Sequence, residues 1–369
     1  METPAGYPQR VRWTFLLSTL ALTCSAQTLR MNHIQMVGTH NSYHVGLAPG
    51  ELAILRQQNP RAADSLAYKH PPLAAQLDAG VRQLELDVFS DTKGGLFADP
   101  LFLRLSAQAG TLEPLPSVWK AAMSKPGFKV LHVSDVDFRS HCWTLIACLQ
   151  EVRDWSKRNP RHLPLYIQLE NKTGASRPNF VQPEPLTKAT MDALDDEIRS
   201  VFPPGAVITP DDVRGSHATL EEAVLRTGWP ELERARGKVV FLLDQERVTP
   251  LYTEGHPSLR GRMMFTNGKP GTPDAAFVKM NNPMAPELPE LVRKGYLIRT
   301  MTDGGAQAVR TGDTTRRDRA IASGAHILST DYPFRWKAEG SGYSVELGGA
   351  KARCNPVNAP APCAIQAPY

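Results

Sequence analysis

Little in this chain of 369 residues announces a class at first sight. It holds only five cysteines, and none of their spacings suits a zinc site. Aromatic residues make up 7 % and form no stripe with basic residues, and the formal charge is only +5 with no polybasic run. Those two absences argue against nucleic acid as a partner. Beyond the N-terminal segment no apolar run nears the roughly 20 residues needed to span a bilayer. There is no internal repeat, which excludes a solenoid or propeller array. Low complexity is confined to a Pro- and Ala-rich C-terminus. Composition alone describes a globular protein with a mild positive balance, one that could help at an anionic lipid surface.

The N-terminus reads as a targeting segment rather than as part of the fold. Arg10 and Arg12 supply a basic start, Trp13–Thr23 an apolar core too short for a membrane span, and Ser25-Ala26 small residues before Gln27. A signal peptide over 1–26 is expected, with the mature protein secreted to an extracellular or periplasmic space. Lipid attachment at Cys24 is the weaker reading, because Ala21 stands where a Leu is wanted. Cleavage leaves Cys142, Cys148, Cys354 and Cys363, an even number in an exported chain, and hence two disulfides. Of three possible connectivities, proximity favours Cys142–Cys148 and Cys354–Cys363.

The remainder alternates strand-like and helix-like segments. Strands are expected at 33–38, 81–88, 128–134, 164–170, 238–243, either 262–265 or 276–280, 296–301 and 326–330. Helices are expected at 71–79, 143–157, 187–201, 218–226, 286–294 and 313–323. Such alternation implies a parallel sheet, and eight strands imply closure into a barrel. The expected fold is a single-domain α/β chain, a distorted TIM barrel over 27–335 with a disulfide-tied tail at 336–369. The segments 89–127 and 244–275 are long for connections and therefore functional or irregular.

Four successive strands end in side chains suited to chemistry. The first breaks at Gly38 and presents Thr39-His40-Asn41-Ser42. In the second, Glu85 and Asp87 are two apart and share a face, while Leu84, Leu86 and Val88 take the other. Side-by-side carboxylates repel unless a cation lies between them, and a hard cation with oxygen ligands is the usual solution. The third carries His132 near the end of an apolar run, and the fourth ends in Glu170-Asn171-Lys172. Each alone has a bland explanation: a turn, a solvated acidic face, a core histidine, a charged strand end. A parallel barrel gathers the C-terminal ends of its strands at one mouth, where function resides.

The order Gly38-Thr39-His40-Asn41-Ser42, Glu85-Leu86-Asp87, His132 and Leu169-Glu170-Asn171-Lys172 resembles the catalytic half of calcium-dependent phosphatidylinositol-specific phospholipases C. These are PLC-like phosphodiesterases on a distorted TIM barrel, and the secreted microbial family is the nearest resemblance. The likeness is firm over 31–175, returns at Ala325–Pro333 and is only general between. It implies catalytic roles for His40 and His132, with His132 the acid by motif order. It also implies Ca2+ ligation by Asn41, Glu85, Asp87 and Glu170, and substrate contacts from Lys172 and Asp331. Metal-independent relatives place Asp directly after the first histidine; Asn41 here points to the metal-dependent branch. An all-oxygen donor set agrees with Ca2+ rather than Zn2+. The implied partner is a phospholipid or other phosphodiester met at a membrane surface by a monomer.

Two rivals remain open at this stage. A glycerophosphodiester phosphodiesterase shares the barrel and the Glu-x-Asp pair but opens with His-Arg, and a calcium-binding barrel could lack turnover. Among other residues, His44 reads as loop surface, His141 as structural and Met263-Met264-Phe265 as core. Asp244, Asn281 and Arg299 lie near strand ends where they could touch a polyol, and Arg316-Arg317-x-Arg319 reads as a solvated helix face.

Overall fold

The computed structural model describes residues 1–2, 6, 28–173 and 179–367; the expected targeting segment lies almost wholly outside them. Among the described residues ten strands are formed: β1 Ile34–Thr39, β2 Gln83–Phe89, β3 Lys129–Val130, β4 Leu165–Asn171, β5 Val239–Leu243, β6 Met264–Thr266, β7 Phe277–Lys279, β8 Leu297–Met301, β9 Ile327–Thr330 and β10 Ala352–Cys354. Eight of them run parallel in the order β6-β5-β4-β2-β1-β9-β8-β7. The ring is nearly closed between β6 and β7 by a parallel bridge, Asn267 to Phe277. There Gly268 N–H donates to the Phe277 carbonyl at 2.9 Å. The architecture is the distorted α/β barrel expected.

Strands in such a barrel are covered on both faces, which is why Val239-Val240-Phe241-Leu242-Leu243 can be apolar throughout and wholly buried. Leu84, Leu86 and Val88 face outward into the layer shared with the helices, beside Leu145, Leu149 and Val152. The inward face of β2 carries Gln83, Glu85 and Asp87, all buried. Gly38 is required beside them, because a Cβ there would fall 2.0 Å from the Gln83 side chain. Helix Leu145–Arg158 starts where Thr144 accepts the Ala147 N–H, and Lys188–Val201 starts likewise at Thr187. No helix among the described residues is long and apolar enough to cross a membrane.

The expected barrel strand at 128–134 is not one. Only Lys129–Val130 is extended, antiparallel to the end of β2, with Val88 opposite Val130. The chain then folds back on itself, Val133 bridging to Asp137. Leu131, Val136 and Phe138 join Phe89, Phe97, Phe102, Trp119 and Met123 in a separate cluster built on the insertion after β2. The apolar run therefore serves this cap and not the barrel. Its start is fixed by Glu197, whose Oε1 accepts the Phe128 N–H at 2.9 Å. The eighth barrel place is filled because 264–266 and 277–279, offered as alternatives, are both strands.

Both disulfides pair as expected, Cys142 with Cys148 and Cys354 with Cys363. The tail does more than lie alongside. Its strand β10 pairs antiparallel with β1, Ile34 opposite Cys354 and Met36 opposite Ala352. It occupies the early half of β1, so β2 meets β1 only at Gly38.

Candidate active site

The ends of β1, β2, β4 and β9 open at one mouth. At the end of β1, the His40 N–H donates to the Thr330 carbonyl at 3.1 Å. Its Nδ1 lies 2.9 Å from Asp331 Oδ1, just past β9. Asp331 is itself held, since Asp303 accepts from its backbone N–H at 2.7 Å, from Thr330 Oγ1 and from Tyr343 Oη. Burial alone would lower the His40 pKa, but the carboxylates of Asp331 and Glu85 outweigh it and lift the imidazole to about 9. Its Nε2 makes no hydrogen bond among the described residues, on a ring lifted to about 9 and so protonated at neutral pH.

The next residue, Asn41, adopts φ 46°, a left-handed conformation that a short amide side chain tolerates and that marks constrained sites. Its Nδ2 donates to Tyr68 Oη at 2.7 Å, while its Oδ1 is buried and accepts no hydrogen bond among the described residues. Ser42 ties this loop to β2: its N–H donates to the Glu85 carbonyl at 2.9 Å, and its Oγ accepts the Glu85 N–H at 2.8 Å. Thr39 Oγ1 and Ser42 Oγ lie 2.7 Å apart over Gln76. Thr39 and Ser42 therefore brace the loop.

His132 stands in the turn after β3. Its Nδ1 is 2.9 Å from Asp137 Oδ2, and the same carboxylate lies 2.8 Å from His44 Nε2. His44, read as loop surface, is wholly buried; the Asp137 carboxylate draws it inward. Burial would raise the Asp137 pKa, but His44 and His132 hold it far below the usual carboxylate range. Tyr68 packs on His44 at 4.4 Å between ring centroids and lies 6.1 Å from His40. His44 is 6.2 Å from His132. The two histidines expected to act together thus stand at the ends of one row of rings, each with a carboxylate on its Nδ1.

Between them lies the acidic set. Register in the β2–β4 ladder places Asp87 directly beside Glu170 and Glu85 beside Gln168. One oxygen from each of Glu85, Asp87 and Glu170 lies within 4.8 Å of the others. These carboxylates are met by tethered cations. Arg299 Nη2 donates to Glu85 Oε2 at 2.7 Å, and Lys172 Nζ lies 3.0 Å from Asp87 and 3.3 Å from Glu170. Lys279 pairs with the neighbouring Asp244 at 2.5 Å. Burial lifts the Asp87 pKa to about 6, against the pull of Lys172. Burial also pushes Glu170 up, but Lys172 and Lys279 leave it below its ordinary value.

The donor set fits a hard divalent ion. It offers three carboxylates and the orphaned buried Oδ1 of Asn41, with no thiolate and no histidine among them. A family model described as Ca2+-dependent phosphoinositide phospholipase C matches residues 29–356. The chain belongs to that family. It is therefore a phosphodiester-cleaving enzyme of phospholipase C type whose cofactor is calcium, and the glycerophosphodiester and non-catalytic readings fall away.

Solved structures agree on the fold. A calcium-dependent phosphoinositol-specific phospholipase C from a Gram-negative Pseudomonas species superposes with TM-score 0.55 at 18 % identity, covering 88 % of this chain and 95 % of that one. A Ca2+-dependent phosphatidylinositol-specific phospholipase C from Streptomyces antibioticus gives 0.50 at 18 % identity, over 82 % and 95 %. No curated protein matches.

Several residues of the site escaped the sequence reading. Asp137, five residues beyond His132, and Tyr68 carried no signal of their own. Arg299 was visible, because an arginine amid Leu297-Ile298-Arg299-Thr300-Met301 needs a buried counter-charge. It meets Glu85, with Asn281 on its other arm. Asp331 spends its carboxylate on His40.

Proposed function

We propose that this enzyme cleaves phosphatidylinositol-type lipids to diacylglycerol and a cyclic inositol phosphate, which water may later open. The observation that carries this reading is the convergence of two carboxylate-held imidazoles and three clustered carboxylates on one barrel mouth. The inositol 2-hydroxyl forms a bond to phosphorus in line with the glycerol oxygen that leaves, and the reaction is mostly positioning and charge stabilisation. Asn41, Glu85, Asp87 and Glu170 hold Ca2+, which when bound neutralises phosphate charge and makes the attacking hydroxyl more acidic. That hydroxyl's proton passes to a carboxylate of the set, among which Glu170 is the most exposed. His40, kept protonated by Asp331, places positive charge on the developing pentacoordinate centre. His132 donates a proton to the departing glycerol oxygen, its ring fixed by Asp137. A positioned acid of this kind contributes roughly 10²–10⁴-fold.

Phosphatidylinositol vesicles supplied with calcium or with EGTA test the reading. Cyclic inositol phosphate formed only with calcium is expected. Phosphatidic acid with free inositol, or activity indifferent to EGTA, overturns it.

Export is part of the same proposal. Two disulfides suit an oxidising compartment, and residues 1–26 carry the pattern of a removable signal. Encounter with substrate then occurs at an outer lipid surface, by the barrel itself. N-terminal sequencing of the protein recovered outside the cytoplasm should begin at Gln27.

A further inference from the structure

Three cations meet the carboxylates at the barrel mouth, and they are held very differently. Arg299 is buried and locked on three sides, by Glu85 Oε2 at 2.7 Å, Ser329 Oγ at 2.9 Å and Asn281 Oδ1. Lys279 is committed to Asp244, which lies beyond the clustered triad. Among the described residues the Lys172 ammonium meets carboxylates only, Asp87 at 3.0 Å and Glu170 at 3.3 Å. Its side chain is 21 % exposed, against 2 % for Arg299. Only its backbone is fixed, the N–H donating to the Val88 carbonyl at 2.9 Å. Four methylenes and an open side let its ammonium leave without breaking the fold.

We propose that Lys172 is an exchangeable internal cation: its ammonium holds Asp87 and Glu170 together before metal arrives, and calcium binds by displacing it. The inference rests on the calcium site proposed above. A calcium ion takes its oxygen ligands at about 2.3–2.6 Å. An ammonium 3.0 Å from the same Asp87 carboxylate cannot stay beside a dication that shares those oxygens, since like charges at that range repel strongly even at an effective protein dielectric. Exchange keeps the carboxylates compensated in both states, so Asp87, fully buried, never faces Glu170 without a positive charge between them. It also sets the affinity: calcium must outcompete a ligand of fixed, high effective concentration. The displaced ammonium is released at the side of the mouth where the phosphate is expected.

Calcium titration by calorimetry on wild type, Lys172→Met and Lys172→Arg tests this. The Met variant should bind calcium about tenfold or more tighter, the loss of one competing unit charge at close range. Arg, which retains the charge, should stay nearer wild type. The metal-free Met variant should also melt below wild type, because Asp87 is left buried without its partner, and it should gain more from added calcium. Should Lys172→Met fail to fold, wild type suffices: pulsed amine acetylation read by mass spectrometry should modify Lys172 slowly in EGTA and several-fold faster in calcium. Unchanged or weaker affinity in Lys172→Met, or Lys172 reactivity indifferent to calcium, overturns the exchange and leaves the calcium site standing. Absence of any calcium binding by wild type overturns the site and the exchange together.

Discussion

Asp137 joins His44 to His132: one carboxylate oxygen lies 2.8 Å from Nε2 of the first and 2.9 Å from Nδ1 of the second. One histidine is wholly buried and the other opens to the mouth, so a single acid anchors a core ring and orients a reacting one. Asp137→Asn should therefore act twice. Leaving the buried His44 ring without its carboxylate partner costs about 1–3 kcal/mol of stability, read as a fall in thermal midpoint. His132→Ala should leave the midpoint near wild type while cutting kcat at least about 100-fold. A stable Asp137→Asn protein of full activity would show that the clamp has no role.

His40 and Asp331 form the second such pair, and here the acid acts through the base. His40→Ala should lower kcat by about two orders of magnitude or more. Asp331→Asn should cost less, and the double variant should be little worse than His40→Ala, because groups serving one transition state are not additive. Multiplicative losses in the kinetic cycle would give Asp331 an independent role.

Asp87→Asn removes a charged metal ligand without changing shape. Calcium affinity should drop at least about tenfold, with EGTA-treated wild type and variant alike inactive. Since Asp87 is buried and its pKa is already lifted to about 6, the variant should fold at least as stably as the metal-free wild type. Calcium-dependent melting curves of both proteins check this.

Away from the mouth, Glu197 offers a test of pH dependence. Burial lifts its pKa to about 7, above its ordinary 4.5, although it accepts the Phe128 N–H and lies near Lys129. A folded pKa above the unfolded one favours the folded state while the group is protonated. The stability it contributes is complete below about 4.5 and is lost as pH rises through about 7. Glu197→Gln should match wild type at pH 4.5 and exceed it by a few degrees in midpoint at pH 8. A constant gap at both pH values would refute the assignment.

The barrel was legible because its strands are short apolar runs of fixed polarity between amphipathic helices. The Glu85/Asp87 face could be read from period-two alternation alone, and the ladder sets Glu170 directly beside Asp87. Phe128–Val133 misled because burial in a cap and burial in a barrel demand the same residues; only the return of Asp137 onto Val133 separates them. Histidine 44 misled for the opposite reason, since a polar loop residue is buried here by a partner 93 positions away. Local pattern carries which face is apolar. It does not carry which distant charge a polar side chain will find.

The pairing of β10 with β1 has a consequence for how the chain is made. The strand that leads into His40 has β9 on one side and β10 along its early half, Met36 opposite Ile327 and Ile34 opposite Cys354, residues made far later in synthesis. Its pairing with β2, in register at Gly38 and Gln83, is nearer in sequence. Contacts of such separation make folding slow. The first strand of the barrel waits for the last, and until both are present the His40 loop has no frame. The Cys354–Cys363 disulfide, which ties the end of β10, can close only once nearly the whole chain has been made.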